Sequence, residues 1–377
     1  MDRNIKSIVI LGSTGSVGSQ TLDVIRNNPT HLRVSGLAAN LNHNLLKAQI
    51  SEFTPQYVSF QGDPDEELAL QCKDLTLTNM GGIVSIKNAN IVVSATTGYV
   101  SLVPTFKAIS AGKHIAIANK ETIIMAGKTL MSHAKTHGVN ILPVDSEPSA
   151  IWQCLRGETQ PVEKVIITGS GGALRDVPVN KLHEVTPYQA LKHPTWQMGS
   201  KITVDSATMM NKAFEVIEAH LLFDIPWDNI DVVIHPESII HSMVQFRDGS
   251  TKAQMSLPDM RGPIQYALFY PKRHTDYSIP RFNPVDLQKL TFDTLDKDRY
   301  PCFDIALAYA KKGGTWTSVL CGADEGAVTR FLENDISFSE IPTVIKSVLD
   351  QHIPTEHPSP KEMLEAAYWA ERKALCL

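Results

Sequence analysis

One stretch constrains this chain more than any other. The apolar run Ser7–Leu11 passes directly into Gly12-Ser13-Thr14-Gly15-Ser16-Val17-Gly18, and a helical segment, TLDVIRNN, follows. A buried strand, a glycine loop and a helix in that order build the first turn of a nucleotide-binding α/β unit. The glycines let backbone approach a pyrophosphate, and the helix N-terminal amides hold its charge. The spacing is G-x-x-G-x-x-G, a variant of the dinucleotide fingerprint. A glycine-rich turn with no ligand is the plainer reading. The strand–loop–helix context at the start of the chain favours the cofactor.

The text that follows keeps alternating. Strand-like runs occur at RVSGLAA, after the Pro-marked turn in AQISEFTPQYVSF, at NIVVSATTG, at KHIAIANK and at VNILPVDSE, with helix-like LVPTFKAISAG between two of them. Strands alternating with helices predict a doubly wound parallel sheet. The middle region predicts a mixed α/β domain. VEKVIITGSGG reads as a strand and glycine turn, KITVDSATMMNKAFEVIEAHLLF as a strand tip and a long helix, and DVVIHPESIIHSMVQF with TKAQMSL as an antiparallel hairpin. A Pro- and charge-rich stretch then reads as a linker, and the text from Cys302 onward is helical. The expected plan is a Rossmann-like domain over 1–148, a mixed α/β domain over 149–269, a linker over 270–300 and a helical domain over 301–377.

A length of 377 residues, 43% hydrophobic and 20% charged, suits a folded protein of more than one core. The formal net charge of −5 argues against nucleic acid as the main partner. No apolar run approaches the length of a membrane span, and the N-terminal text is expected to enter a strand directly, without a cleavable leader. The five cysteines show no C-x-x-C spacing. Reduced thiols in a cytoplasmic protein are the expectation.

Polar clusters mark the candidate chemistry. Asp145 and Glu147 stand two apart at the end of an extended run, and a strand's period of two would put both carboxylates on one face, suited to a hard divalent cation. Alone, such a pair reads as a solvated loop. The helix after Asp205 adds Asn211, Lys212 and Glu215 beside a buried stripe of Met210, Phe214, Ile217 and Leu221. That mixture of amide, cation and carboxylate reads as a ligand site. Glu218 on the same helix reads as solvated. Ser206, at this helix's expected start, could help hold a phosphate. Ser170-Gly171-Gly172 reads as a turn without ligand. Trp196 and Met198, in the Pro/Gly-bounded loop from His193 to Gly199, read equally as core or as lid. His235 and His241 read as ordinary hydrogen-bonded histidines.

Taken together, GSTGSVG, SATTG, ANKET, VDSE, SGG, HPTWQMGSKITVDSATMMNKAFEVIEA and HPESIIHSMV resemble the 1-deoxy-D-xylulose 5-phosphate reductoisomerase family, in that order and from start to end of the chain. The resemblance implies an NADPH- and divalent-metal-dependent enzyme (Mg²⁺, Mn²⁺ or Co²⁺) of isoprenoid precursor biosynthesis. It would act on a small sugar phosphate as a cytoplasmic homodimer. It places Thr14, Gly15, Ser16, Val17, Asn119, Glu121 and Gly199 at the cofactor, and Asp145, Glu147 and Glu215 at the metal. Lys120, Ser146 and Glu147 fall at the ketol end, and Ser170, Ser206, Asn211 and Lys212 at the phosphate and nearby hydroxyls. His193, Trp196, Met198 and Gly199 belong to the closing loop. Lys120, Glu147 and His193 are the implied catalytic residues. The chain departs from the family at SGGALRD for SGGPF, at Pro148 for a common His, and at CGADEGAV for an N-A-A-N-E-like text.

The end of the second strand indicates which nicotinamide is used. It carries Asn40, Leu41, Asn42 and His43 and no acid, so nothing there repels a ribose 2′-phosphate, and NADPH is favoured. Asn40, Asn42 and His43 can donate to that phosphate, while Leu41 stands where relatives often carry a cation. A plain NADP-dependent dehydrogenase would explain the glycine loop but not a metal triad beside a phosphate site. A catalytically silent homologue would have no chemical use for Asp145, Glu147, Glu215 and Lys212 together.

Overall fold

The computed structural model describes residues 5–275, 278–287 and 289–377. Residues 276, 277 and 288 of the expected linker, and residues 1–4 ahead of the first strand, lie outside the described residues.

The chain divides into two compact units. The first holds residues 1–119, 128–145 and 259–280, the second 120–127, 146–258 and 281–377. In the first, β1 (Lys6–Leu11), α1 (Ser16–Arg26), β2 (Leu32–Ala38), α2 (His43–Phe53), β3 (Tyr57–Ser59), α3 (Glu66–Gln71) and β4 (Thr76–Leu77) are followed by α4 (Met80–Ile83), β5 (Ile91–Ser94), α5 (Leu102–Ser110) and β6 (His114–Ile117). Helix α6 (Lys120–Thr136) is divided between the units after Gly127, and β7 (Ile141–Pro143) closes the series.

These strands form one parallel sheet in the order β4-β3-β2-β1-β5-β6-β7. Ile8–Leu11 and Ile91–Val93 are wholly or almost wholly buried, as continuous apolar strands covered on both faces must be. The strand order reverses between β1 and β5. In open α/β sheets that reversal leaves a crevice beyond the strand ends, where ligands bind.

The second unit contains α7 (Ser146–Leu155), β8 (Val162–Gly169), α8 (Pro187–Ala190), α9 (Ser200–Thr208), α10 (Met210–Phe223), β9 (Ile230–Ile234), β10 (Ile240–Phe246) and β11 (Thr251–Met255). Helix α11 (Arg261–Phe269) packs with the first unit, against α1. Then come α12 (Pro284–Leu287), β12 (Asp293–Thr294), α13 (Pro301–Ala310), α14 (Trp316–Leu332), α15 (Ile341–Asp350) and α16 (Pro360–Leu375). The second sheet runs β11-β10-β8-β9-β12 and is mixed: β8 and β9 are parallel, the other neighbours antiparallel. The expected hairpin is β10–β11, and β12, inside the expected linker, extends the same sheet. All five cysteines are free, and four are buried. No described helix is long and apolar enough to cross a membrane.

Two expectations change here. The KITV segment is the start of helix α9. Its β-branched residues suggested a strand, but Gly199 starts a helix whose Thr203 hydroxyl donates to the Gly199 carbonyl at 2.7 Å and whose Lys201 and Asp205 pair one turn apart. The break before α10 falls at Met209, which is buried in a left-handed conformation. The second change concerns Asp145 and Glu147, which do not share a strand face: β7 ends at Pro143, and Glu147 lies in the first turn of α7. Pro148, with fixed φ and no amide to donate, suits that first turn.

Candidate active site

In the first unit the glycine loop is built by close packing. Gly12 has φ +82°, and a Cβ there would come within 2.5 Å of the Ala95 carbonyl oxygen just past β5. At Gly18 a Cβ would overlap the Gly12 carbonyl. Two backbone segments can approach only without those side chains. Gly15 starts α1 without a side-chain cap, so the first-turn amides are left for an anion. Gly15 and Ser16 are exposed, Thr14 and Val17 half-buried.

Asn40, Leu41 and Asn42 are exposed beyond β2. Asn42 also starts α2, its side-chain oxygen accepting from the Leu45 amide at 3.2 Å. The His43 ring nitrogen Nε2 lies 2.7 Å from the Gln61 carbonyl. Asn119 is buried, and its amide donates to the carbonyls of Thr96 and Gly98 at 3.0 and 2.5 Å. Its oxygen accepts from Ser101 at 3.1 Å. The side chain of Asn119 thus holds the 96–98 loop.

In the second unit, side chains far apart in sequence form one buried polar chain. Lys120, the first residue of α6, donates to the Asn211 oxygen. The Asn211 amide donates to Glu215 Oε1 at 2.6 Å. Lys212 Nζ lies 2.6 Å from Glu215 Oε2 and 2.7 Å from Glu147 Oε1. Glu147 Oε2 accepts from the Ser146 hydroxyl at 2.5 Å. Lys212 and Glu215 are 6% and 1% exposed, so these charges survive only by pairing, and Lys120, 5% exposed, joins them through the Asn211 amide. Burial alone would push the Glu147 carboxyl up, but Lys212 and Ser146 hold it below its ordinary value. Burial likewise pulls the Lys212 ammonium down, and the two carboxylates outweigh it and raise it.

The Ser170-Gly171-Gly172 turn after β8 packs against α9 and α10. Gly172 has φ +71°, and a Cβ there would sit 2.6 Å from the Ser206 carbonyl oxygen. A Cβ on Gly169 would meet the Lys212 side chain at 2.9 Å. The turn therefore packs between the Lys212 side chain and the Ser206 backbone. Tyr300 donates to the Gly171 carbonyl at 3.1 Å and Arg175 to the Ser170 carbonyl at 2.8 Å, so the SGGALRD text is held by its own arginine.

His193 is fixed in one tautomer. Its Nδ1 accepts from the Thr195 and Trp196 amides at 3.2 and 2.9 Å, which leaves the proton on Nε2, 3.0 Å from the Ser170 hydroxyl. Burial first, then the Lys212 ammonium, pulls its pKa down to about 4. The ring is a neutral hydrogen-bond donor. Trp196 and Met198 are half-buried, and Trp196 meets the His241 ring edge-on at 6.1 Å, so this loop lies at the surface and not in the core.

Several sequence expectations are corrected. Ser206 lies near the C-terminal end of α9, not at a helix start. Glu218 is 1% exposed and not solvated. Glu121, by contrast, overturns no expectation: it is buried on α6 in the second unit, where burial raises its carboxyl and Lys201 opposes the shift. His235 is the structural residue expected, with Nε2 accepting from the Ile239 and Ile240 amides at 3.2 Å. His241 is more than that. It sits where the β10–β11 register shifts, close enough to Glu147 to affect its charge and beside Trp196. A bulge re-aims a side chain, and alternation along a strand does not reveal it.

The donor set suits a magnesium- or manganese-like ion. Glu147 and Glu215 are hard oxygen donors that already share one cation, the Lys212 ammonium. Among the described residues no three His, Cys, Asp or Glu side chains form a ready metal cage. Asp145, the third implied ligand, is the last residue of a segment of the first unit.

Comparison with known proteins points to one family. The model described as 1-deoxy-D-xylulose 5-phosphate reductoisomerase matches residues 8–127, and the two models of that enzyme's C-terminal domains match 141–223 and 255–373. The protein of that name from Pelotomaculum thermopropionicum is 48% identical over 375 residues, covering 97% of each chain. The one from Thermodesulfovibrio yellowstonii is 45% identical and covers 98% of each. The solved reductoisomerase of Zymomonas mobilis in complex with NADPH superposes with a TM-score of 0.91 at 34% identity, covering 99% of each chain. Another, in complex with NADPH, fosmidomycin and magnesium, has a TM-score of 0.92 at 34% identity, covering 99% of this chain and 98% of that one. The chain belongs to the 1-deoxy-D-xylulose 5-phosphate reductoisomerase family.

Proposed function

We propose that this chain rearranges 1-deoxy-D-xylulose 5-phosphate and reduces the product to 2-C-methyl-D-erythritol 4-phosphate, using NADPH and a divalent metal, in isoprenoid precursor biosynthesis. The observation that carries the reading is the buried chain from Lys120 through Asn211, Glu215, Lys212 and Glu147 to Ser146, which pairs carboxylates with cations beside a serine-lined glycine turn. A plain dehydrogenase has no use for it.

In this reading Thr14, Gly15, Ser16 and Val17 receive the pyrophosphate at the uncapped α1 N-terminus, and Asn40 and Asn42 meet the adenosine end. Glu121 and Gly199 fall at the nicotinamide half, and Asn119 acts by holding the 96–98 loop. Ser170, Ser206, Asn211 and Lys212 hold the phosphate and nearby hydroxyls. Lys120 and Ser146 orient the ketol end, with Lys120 and Glu147 as proton-handling groups. His193 donates from Nε2 and takes up no proton near neutral pH. Trp196 covers the substrate and excludes water, which strengthens the electrostatics beneath it. Asp145, Glu147 and Glu215 would hold the metal. When bound, the metal stabilises negative oxygen as a Lewis acid and NADPH supplies a hydride.

In this reading 1–148 is the NADPH-binding domain, 149–269 the catalytic and dimerisation domain, 270–300 the linker and 301–377 the helical domain, while 120–127 and 146–148 pack with the second compact unit and 259–269 with the first. The exposed edge strand β11 supports a dimer formed through the second of these, since an open edge needs cover. The four buried free thiols support a reducing, cytoplasmic setting.

The test is incubation with 1-deoxy-D-xylulose 5-phosphate, Mn²⁺ and NADPH while NADPH absorbance is followed. The expected result is oxidation of NADPH that requires both substrate and metal. Oxidation that persists with chelator present would favour a metal-free dehydrogenase.

A further inference from the structure

The second unit buries another charged cluster, centred on Lys201 and neighbouring Glu121. Asp324 on α14 is 0% exposed and Asp205 on α9 is 1% exposed. Between them Lys201 Nζ donates to Asp205 Oδ2 at 2.7 Å and to Asp324 Oδ2. The same ammonium stands 5.2 Å over the Phe214 ring of α10, the helix that carries Asn211, Lys212 and Glu215. One lysine therefore ties α9, α10 and α14 together. Carrying two carboxylates and an ammonium into an interior costs several kcal/mol per ion before pairing, and apolar side chains of similar size commonly fill such space as stably. Burial does not explain the triad. Its place in the chain does.

Lys201 is the second residue of α9, just inside the exposed junction Gly199–Ser200 where the 193–199 loop ends. The loop's other end is held by the His193–Ser170 hydrogen bond. The loop thus runs between two anchors, and only the second reaches the C-terminal helices.

We propose that Lys201, clamped by Asp205 and Asp324, is a positioning residue for substrate binding that fixes the C-terminal hinge of the 193–199 loop. The proposal rests on the reading of that loop as the substrate cover. Loss of the clamp lets the first turn of α9 slip, so the loop closes less firmly while the groups that perform the chemistry stay in place. The Asp324 carboxylate, where the family text commonly reads N-A-A-N-E, makes the clamp doubly charged in this chain.

The test compares the full-length enzyme with Lys201→Met, Asp324→Asn and Trp196→Ala. Lys201→Met should raise the substrate KM about tenfold, with kcat within about twofold. Asp324→Asn, whose amide oxygen still accepts from the lysine, should raise it about threefold. If Lys201→Met does not fold, Asp324→Asn decides, and an unchanged substrate KM there overturns the proposal. A loss confined to kcat overturns it as well. If Trp196→Ala raises KM but the clamp variants do not, the loop reading stands and the clamp does not. If the clamp variants raise KM and Trp196→Ala does not, the clamp acts elsewhere and the proposal fails.

Discussion

The glycine loop of the first unit and the polar chain of the second are both candidate ligand sites, and they are made in opposite ways. The loop is local. It lies within a few residues of sequence, its binding groups are backbone amides, and Gly15 and Ser16 at its helix start are exposed. The polar chain draws on residues from 120 to 215, its groups are charged side chains, and Lys212 and Glu215 are 6% and 1% exposed. A backbone site tolerates most changes of side chain. A buried ionic site tolerates few, because removing one partner strands the other. Substitutions should therefore do far more damage in the second unit than around the nucleotide loop, unless they add a Cβ where backbones touch.

The largest effect is expected at Glu215. Glu215→Gln removes a carboxylate from Lys212 and from the proposed metal, and should lower kcat by about a hundredfold or more. NADPH affinity, measured by fluorescence titration, should be unchanged. Near-normal turnover would break the comparison.

Two glycine variants sharpen it. Gly18→Ala forces a Cβ into the Gly12 carbonyl, and Gly172→Ala places one 2.6 Å from the Ser206 carbonyl at φ +71°. Each should cost on the order of 1–3 kcal/mol of stability. They should differ in function, Gly18→Ala weakening NADPH and Gly172→Ala weakening the sugar phosphate. Equal loss of both ligands in either variant would show that the two sites are not independently built.

A smaller effect is expected beyond β2, where Leu41 is 68% exposed. Asn42 and His43 already hold partners there, so a cation at 41 should matter. Leu41→Lys should lower the KM for NADPH about tenfold and leave that for NADH nearly unchanged. No change for NADPH would place the 2′-phosphate elsewhere.

The smallest effect is a slope. His193 has a pKa pulled from 6.5 to about 4. Between those values the unfolded chain binds a proton that the folded chain refuses. The stability from this neutral ring is complete above pH 6.5 and is lost as pH falls towards 4. Melting temperature should fall less steeply over that window in His193→Gln than in the unsubstituted protein. Identical slopes would mean that the ring is protonated in the fold.

What the sequence determined by itself was everything that short range decides. The apolar runs ending in glycine or small residues are the parallel strands of the first sheet, and Met210, Phe214 and Ile217 are buried in α10, although Leu221 of the same expected stripe is only half-buried and every residue from Lys212 to Ala219 is buried with them. Motif order was enough to identify the family. The tertiary structure decided matters of partnership. KITV is helical because Lys201 finds Asp205 and Asp324, Glu147 leaves the strand because α7 begins at Ser146, and Glu218 is buried despite its charge. His241 reaches Trp196 from a register shift that alternation does not show. The physical reason is the same in each case. Strand and helix periodicity act over a few residues, whereas the energy of a buried charge depends on groups that only the fold brings within hydrogen-bonding distance.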